Sequence, residues 1–176
     1  MITSVCLVMA ALQTVPAPSV ALLPLTFDGA FSEADTTPLR NSLRHALKAN
    51  LKPLGVRELT SAEIAKSGLK GVALPFSLSN LDKVRTTFSV PAVLQVRVTA
   101  CSIKMQVGAS KPTFNASMKA SYWLSPVPKG AAVPSEISIT TSATSILMDK
   151  PTMHKVCGLI MKELASKIKP SLTVIK

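Results

Sequence analysis

The chain has 176 residues, with 20 Lys and Arg against 9 Asp and Glu for a formal charge of +11; 47% of positions are hydrophobic and 4% aromatic. A chain of roughly 150 residues buries about two-thirds of its unfolded surface, so one globular domain is expected without metal or disulfide staples. The apolar content excludes a disordered chain, and the lack of an uninterrupted apolar run near ~20 residues excludes a polytopic membrane protein.

Residues 1–19, MITSVCLVMAALQTVPAPS, carry no charge. Residues 5–12 are apolar but too few to span a bilayer, and Ala17/Ser19 or Val15/Ala17 fit the small-residue positions before a cleavage point, the pattern of an export signal. No Lys or Arg precedes Arg40, so the positive n-region of such a signal is missing. A start upstream of Met1, or a disordered leader, is the alternative. Cys6 follows Val5 where a lipoprotein signal carries Gly, Ala or Ser, which argues against a lipid anchor there. The expected organisation is a leader over 1–19 and one domain over 20–176, with a periplasmic or secreted location.

Residues 20–27, VALLPLTF, suit a strand buried on both faces. Pro24 interrupts them, and a proline in a strand marks an edge, an end or a bulge. Thr37 is placed to cap a helix with Pro38 at its first position. Leu39, Leu43, Leu47 and Leu51, with Ala46, form its apolar stripe, and Gly55 ends it. Residues 56–59 then make a short strand parallel to the first through a crossover. Thr60 and Glu63 have capping-box spacing and start a short helix that stops at Gly68. A loop over 68–78 leads to another short helix over 80–88.

From Ala92 the pattern changes period. Ala92, Leu94, Val96, Val98 and Ala100 alternate with Val93, Gln95, Arg97 and Thr99, as in a half-buried antiparallel strand. After a turn at 108–112, Phe114, Ala116, Met118, Ala120 and Tyr122 alternate in a second strand. A Pro/Gly-rich loop over 125–134 precedes a third strand over 135–145, dense in Ser and Thr, and the three form a meander. If that third strand is an edge, it can pair with a partner strand by β-augmentation. In the last helix Asp149 is the cap and Met153, Val156, Cys157, Ile160, Leu164 and Ile168 recur at helical spacing, with Pro170 as the stop. The order is β-α-β-α-α-β-β-β-α: an α+β fold with a single mixed β-sheet packed by helices.

The ALLPL strand, the helix ending LKPLG, the short strand and the TSAEI helix together resemble the first half of a family of bacterial envelope domains. These are the TolB N-terminal, curli-secretion lipoprotein (CsgG-like) and penicillin-binding-protein-activator lipoprotein (LpoB-like) domains. The second half is similar in PAVLQVRVTA, SYWLSPVPKG, the third strand and the closing amphipathic helix. The likeness spans nearly all of residues 20–169 and rests on pattern and order. It implies a non-enzymatic domain that binds another envelope protein, and it leaves the partner unnamed.

Chemistry-bearing residues are sparse. Asp28, Glu33 and Asp35 with His45 form an acidic loop that could be read as a metal or acid/base site, yet carboxylates ahead of a helix are favoured by its dipole alone. His154 has no triad partner in the sequence pattern. There is no G-x-S-x-G elbow, glycine-rich phosphate loop, CxxC pair or Cys/His cluster, so no cofactor or metal is expected and an enzyme is disfavoured. Without the leader's Cys6, Cys101 and Cys157 remain; they can pair in an oxidising compartment, but buried hydrophobic fillers are the favoured reading. Asn115-Ala-Ser117 fits a glycosylation sequon that matters only in a eukaryotic secretory pathway.

The basic residues are patterned. Arg40, Arg44, Lys48 and Lys52 recur every fourth residue on the first helix, and Lys155, Lys162 and Lys169 every seventh on the last. Like charges at i,i+4 cost a few tenths of a kcal/mol per pair, so such a face is held for an anionic partner or is a solvated face whose stems cover apolar surface. An anionic lipid surface, an acidic protein or a nucleic acid are the candidate ligands. Nucleic acid is disfavoured by the leader and by the scarcity of aromatics, since only Phe114, Tyr122 and Trp123 fall on strands. No small-molecule substrate is expected.

Overall fold

The longest alternating run in the chain becomes the middle strand of the sheet. The computed structural model describes residues 20–28, 36–66, 68, 77–107, 112–131, 133–144 and 150–174. Its elements are β1 (Val20–Leu22), β2 (Thr26–Phe27), α1 (Thr36–Leu51), β3 (Val56–Glu58), α2 (Ser61–Lys66), α3 (Leu78–Thr87), β4 (Ala92–Gln106), β5 (Thr113–Ser125), β6 (Ser135–Thr144) and α4 (Lys150–Thr173). The sheet runs β3-β1-β4-β5-β6, with β2 also on β4. β1 is parallel to both β3 and β4, and β4, β5 and β6 are antiparallel neighbours. The α+β class, the single mixed sheet and the terminal meander are as the sequence pattern indicates.

The first strand is two strands. Pairing with β4 passes from Leu22 opposite Leu94 to Thr26 opposite Arg97, four residues against three. The extra residue is accommodated at Leu23–Leu25, where Pro24 has no N–H to give to a ladder. Leu23 N–H still donates to Leu94 O at 2.9 Å.

Helix ends follow local chemistry. α1 begins at Thr36, so Thr37 lies inside its first turn rather than at its cap. After Leu51 a 3-10 turn over Lys52–Leu54 ends at Gly55, whose φ of 75° is left-handed and whose N–H donates to Lys52 O. That backbone is open to glycine without the Cβ clash other residues meet. The capping box of α2 is complete: Glu63 N–H donates to Thr60 Oγ1 at 3.2 Å and Thr60 N–H to Glu63 Oε2 at 2.8 Å. α3 starts two residues earlier than the pattern suggests because Ser77 Oγ accepts from Asn80 N–H. The Asp149 cap, the 108–111 part of the β4–β5 turn and residues 1–19 lie outside the described residues.

Pro170 does not stop the last helix, which continues to Thr173. The proline forfeits only the N–H that would reach one carbonyl a turn back. Leu172 beyond it is buried and Ser171 is hydrogen-bonded to Tyr122, so packing carries the helix one turn further.

The sheet has one fully packed face and one half-packed face. On the first, α1 and α4 cover Val20, Leu22, Leu94, Val96, Val98, Phe114, Met118, Ile137 and Ile139 with Leu43, Leu47, Leu51, Val156, Ile160, Leu164 and Ile168. On the second, Ala21, Leu23 and Val93 form a smaller core with Leu59, Ile64 on α2, and Leu81 and Val84 on α3. The antiparallel part of that second face beyond Val93 carries Arg97, Ser102, Ser117, Lys119, Ser138 and Thr140 instead.

A β-bulge decides which side chains lie where. Val98 is opposite Ala120 but Ala100 is opposite Lys119, so Thr99 is an extra residue in β4. Such an insertion switches the face on which the following residues fall. Even positions point at the helices up to Val98, and odd ones, Cys101 and Ile103, pack on that core afterwards. Ala100 is therefore exposed, against the simple alternation.

Candidate functional site

The basic series on α1 is largely engaged in holding the fold. The guanidinium carbons of Arg40 and Arg44 lie 5.4 and 5.6 Å from the centroid of the Phe27 ring, within cation–π range. Arg44 Nη2 also donates to Leu25 O at 3.4 Å. These two side chains clamp β2 against α1. Lys48 Nζ is 3.3 Å from Glu58 Oε2, although its side chain is 62% exposed, and Lys52 is exposed at the end of the helix.

The α4 series is different. Lys155, Lys162 and Lys169 are all exposed, seven residues apart on one face, opposite the face that packs on the sheet. None makes an ion pair with a described carboxylate. The carboxylates are spent elsewhere: Asp28 with Arg97, Glu58 with Lys48, Glu63 with Arg57, Asp82 with Arg85 and Glu163 with Lys167. Glu136 alone among the described carboxylates has no ion-pair partner among the described residues. Positive charge thus collects on the outer face of α4.

The acidic loop does not assemble a described site. Asp28 accepts from Arg97 Nε at 2.7 Å and from Arg97 Nη2, and its backbone N–H donates to Val98 O, so it fastens the end of β2 to β4. Glu33 and Asp35 lie outside the described residues. His45 is exposed on α1, and His154 Nε2 is 3.5 Å from Ser42 Oγ, between α1 and α4. Among the described residues no three His, Cys, Asp or Glu converge to hold a metal ion.

Two carboxylates are held ionised by their partners. The Thr60 N–H, with Arg57 and the Thr60 hydroxyl, pulls the Glu63 pKa down to about 2. The Ser125 hydroxyl, 2.5 Å from Asp82 Oδ1, and then Arg85 lower the Asp82 pKa. These bonds act as locks on α2 and α3.

Cys101 and Cys157 are both free thiols. They lie in the same core, Cys101 on β4 half-buried and Cys157 on α4 buried. Burial pushes Cys101 up to about 11; burial and the neighbouring Cys101 push Cys157 to about 12. Protonated thiols of this kind behave as small apolar side chains rather than nucleophiles. The strand aromatics are likewise internal. Phe114 and Tyr122 are buried and Trp123 packs on the second core, so they present no stacking platform.

The remaining open surface is the Ser/Thr part of the sheet. A shallow groove of about 210 Å³ lies over Ala100, Ser102, Ser117, Lys119, Ser138 and Thr140. Ser102 and Ser117 Oγ are 2.9 Å apart across β4 and β5. Sequence reasoning placed hydroxyls on the third strand but missed this groove, because the parity switch at Thr99 is what brings Ala100 and Ser102 onto that face. A Ser/Thr-rich strand beside a Ser-bearing one was the available signal.

No helix among the described residues is long and apolar enough to cross a membrane. No protein-family model and no curated protein matches the chain. Solved structures similar to it include a hypothetical protein of Chlamydia trachomatis, at 12% identity over 87% of this chain and 96% of that one, with a TM-score of 0.47. A lipoprotein of Neisseria meningitidis has 16% identity over 85% of this chain and 99% of that one, with a TM-score of 0.42. The LpoB C-terminal domain of Salmonella enterica has 13% identity over 76% of this chain and 87% of that one, with a TM-score of 0.37.

Proposed function

We propose that the chain is an exported, non-enzymatic accessory domain of the bacterial cell envelope, which binds another envelope component through the outer face of α4. The observation that carries the reading is the pairing of charges: the described carboxylates other than Glu136 are occupied within the fold, while Lys155, Lys162 and Lys169 stay exposed in one line. A line of cations without local counter-charge raises the local concentration of an anionic partner and speeds encounter with it. The uncharged leader with its short apolar stretch supports export. The partner is an acidic protein surface of the envelope.

The test has two readouts. The mass of the mature protein from its own host, with its compartment, reads export: loss of about 17 to 19 residues and recovery outside the cytoplasm are expected. Crosslinking in that compartment, with wild type and with Lys155→Gln, Lys162→Gln and Lys169→Gln combined, reads the surface. Capture that survives the triple substitution would overturn the lysine face. A second reading, a polyanion or nucleic-acid binder, draws on the same lysines. It predicts a full-length cytoplasmic chain whose DNA affinity falls steeply with salt, which the fractionation separates from the first.

A further inference from the structure

We infer that the open edge of β6 pairs with the same edge of a second copy of this chain, so that two sheets join into one. The two edges of the sheet are not alike. β3 offers three residues, two of them the charged Arg57 and Glu58. β6 offers ten, SEISITTSAT, and among the described residues pairs with β5 alone, without a break in register over its whole length. Natural edges are blunted by lysine, proline, bulges or shortness. β6 has none of these: apart from Glu136 its composition is hydroxyl and aliphatic, and from Glu136 to Thr144 its edge away from β5 meets no strand among the described residues.

The edge is self-complementary. An antiparallel two-fold pairing keeps helix-side residues opposite helix-side residues only when it is centred on a residue rather than between two. Centred on Thr140, it sets Glu136 opposite Thr144, Ser138 opposite Ser142 and Ile137 opposite Ala143. Centred on Ile139, it sets Glu136 opposite Ser142. In both registers no like charges meet, and hydroxyl pairs or apolar pairs face each other, which are the favourable cross-strand combinations.

The helix layer fits the same geometry. α4 packs over β5 and β6, and α1 lies on its other side. In the joined sheet the two α4 helices would be separated by about two strand spacings, ~9.6 Å, which is the usual distance between packed helices of about 8–10 Å. His154 marks the flank of α4 that meets Ser42 of α1. Glu163 lies nine residues on, two and a half turns at 3.6 residues each, on the opposite flank and so toward the open edge. Lys167 follows it at i+4, 3.8 Å from its carboxylate. Antiparallel copies turn this flank, with its pair of opposite charges, toward the same flank of the next copy. The lysine face of Lys155, Lys162 and Lys169 points away from this contact and stays exposed.

The experiment is sedimentation velocity on the full chain across a concentration series, with five variants. Wild type is expected to associate to a dimer. Glu163→Lys leaves this flank wholly basic in both copies and Lys167→Glu leaves it wholly acidic, so each should weaken the dimer at least tenfold, whereas the double exchange E163K/K167E restores opposite charges to the flank and should recover it. Thr140→Pro and Thr141→Pro address the strand itself: neighbouring residues direct their N–H groups to opposite sides, so one variant breaks the β5 ladder and the other only blocks the open edge. The better-folded of the two should be monomeric. A wild-type chain that stays monomeric at the highest concentration overturns the inference, and so does a dimer indifferent to the charge exchanges and to the edge-blocking proline.

Discussion

The Tyr122 hydroxyl lies 2.9 Å from Ser171 Oγ, which fastens β5 to the turn of α4 that follows Pro170. Tyr122 is buried and Ser171 half-buried, and a hydrogen bond of this kind contributes about 0.5–1.5 kcal/mol net. Tyr122→Phe removes it with little change of shape and is expected to lower stability by about 1 kcal/mol, read as a lower urea midpoint with an unchanged slope. The same substitution should raise amide exchange in the last turn of α4 without affecting α1. An equal effect on both helices would mean that the bond does not act on the residues after Pro170.

Most of the elements were legible because they rest on contacts close in sequence. Thr60 and Glu63 declare their cap at a spacing of three, Leu43, Leu47 and Leu51 declare a buried face, and Pro24 declares a break that the structure places between Leu22 and Thr26. The features that escaped depend on residues far apart. Pro170 reads as a stop until Tyr122, 49 residues away by way of Ser171, supplies a reason to continue. Thr99 reads as an ordinary strand residue until its partner strand skips it. Among the basic residues, Arg40 and Arg44 look like half of a binding face, and only the approach of Phe27 assigns them to the core edge. Lys155, Lys162 and Lys169 are exposed on one face of α4.

Acid should act on α2 first. Glu63 has a folded pKa of about 2 against an ordinary value of 4.5. A depressed folded pKa gives stability that is present above 4.5 and is lost as the pH falls toward 2. Glu63→Gln can keep much of the capping geometry but has no proton to take up. The stability difference between wild type and this variant is therefore expected to be largest at neutral pH and to shrink steadily below pH 4.5. A difference that stays constant from pH 7 to pH 3 would show that the carboxylate charge is not what holds the cap.

Alkali should act through the thiols with the opposite sign. Cys101 and Cys157 have folded values near 11 and 12 against 9.0. The unfolded chain ionises them first, so their contribution to stability is complete below pH 9 and declines as the pH rises through 11 and 12. Replacing both by Ala should flatten that decline. In the native protein at pH 8, iodoacetamide should modify Cys101 before Cys157, because only Cys157 is 1% exposed, and both slowly compared with the unfolded chain. Mass spectrometry of tryptic peptides over time separates the two rates.

Leu94 is completely buried between α1 and the middle of the sheet, opposite both Leu22 and Leu124. Truncation there removes contacts to two neighbouring strands and leaves a cavity that the sheet cannot close. Leu94→Ala is expected to cost about 2–5 kcal/mol. Leu59→Ala, in the smaller core on the other face, should fall at the low end of that range because α2 is short and can shift. The order of the two urea midpoints tests this.

The bulge at Thr99 makes an unusual demand on deletions in β4. All pairs on either side of it already match β5, from Val98 with Ala120 to Ala100 with Lys119. Removing Thr99 therefore regularises the strand without moving any other residue to a new face. The loss is confined to the Thr99 hydroxyl, 3.2 Å from Lys119 O, and to the local twist, about 1 kcal/mol. Removing Gln95 is a deletion of the same size four residues away with the reverse consequence. If the bulge absorbs the missing residue, Val96 and Val98, both completely buried, turn to the polar face and Arg97 turns to the helices. A valine moved to the half-exposed Arg97 position and a buried guanidinium together cost more than ~3 kcal/mol, so this chain is expected not to fold to a native state. Circular dichroism melts of the two deletions, one cooperative and one not, are the expected pair; two cooperative melts would mean that β4 can slip against β5 and that its register is not fixed by the faces.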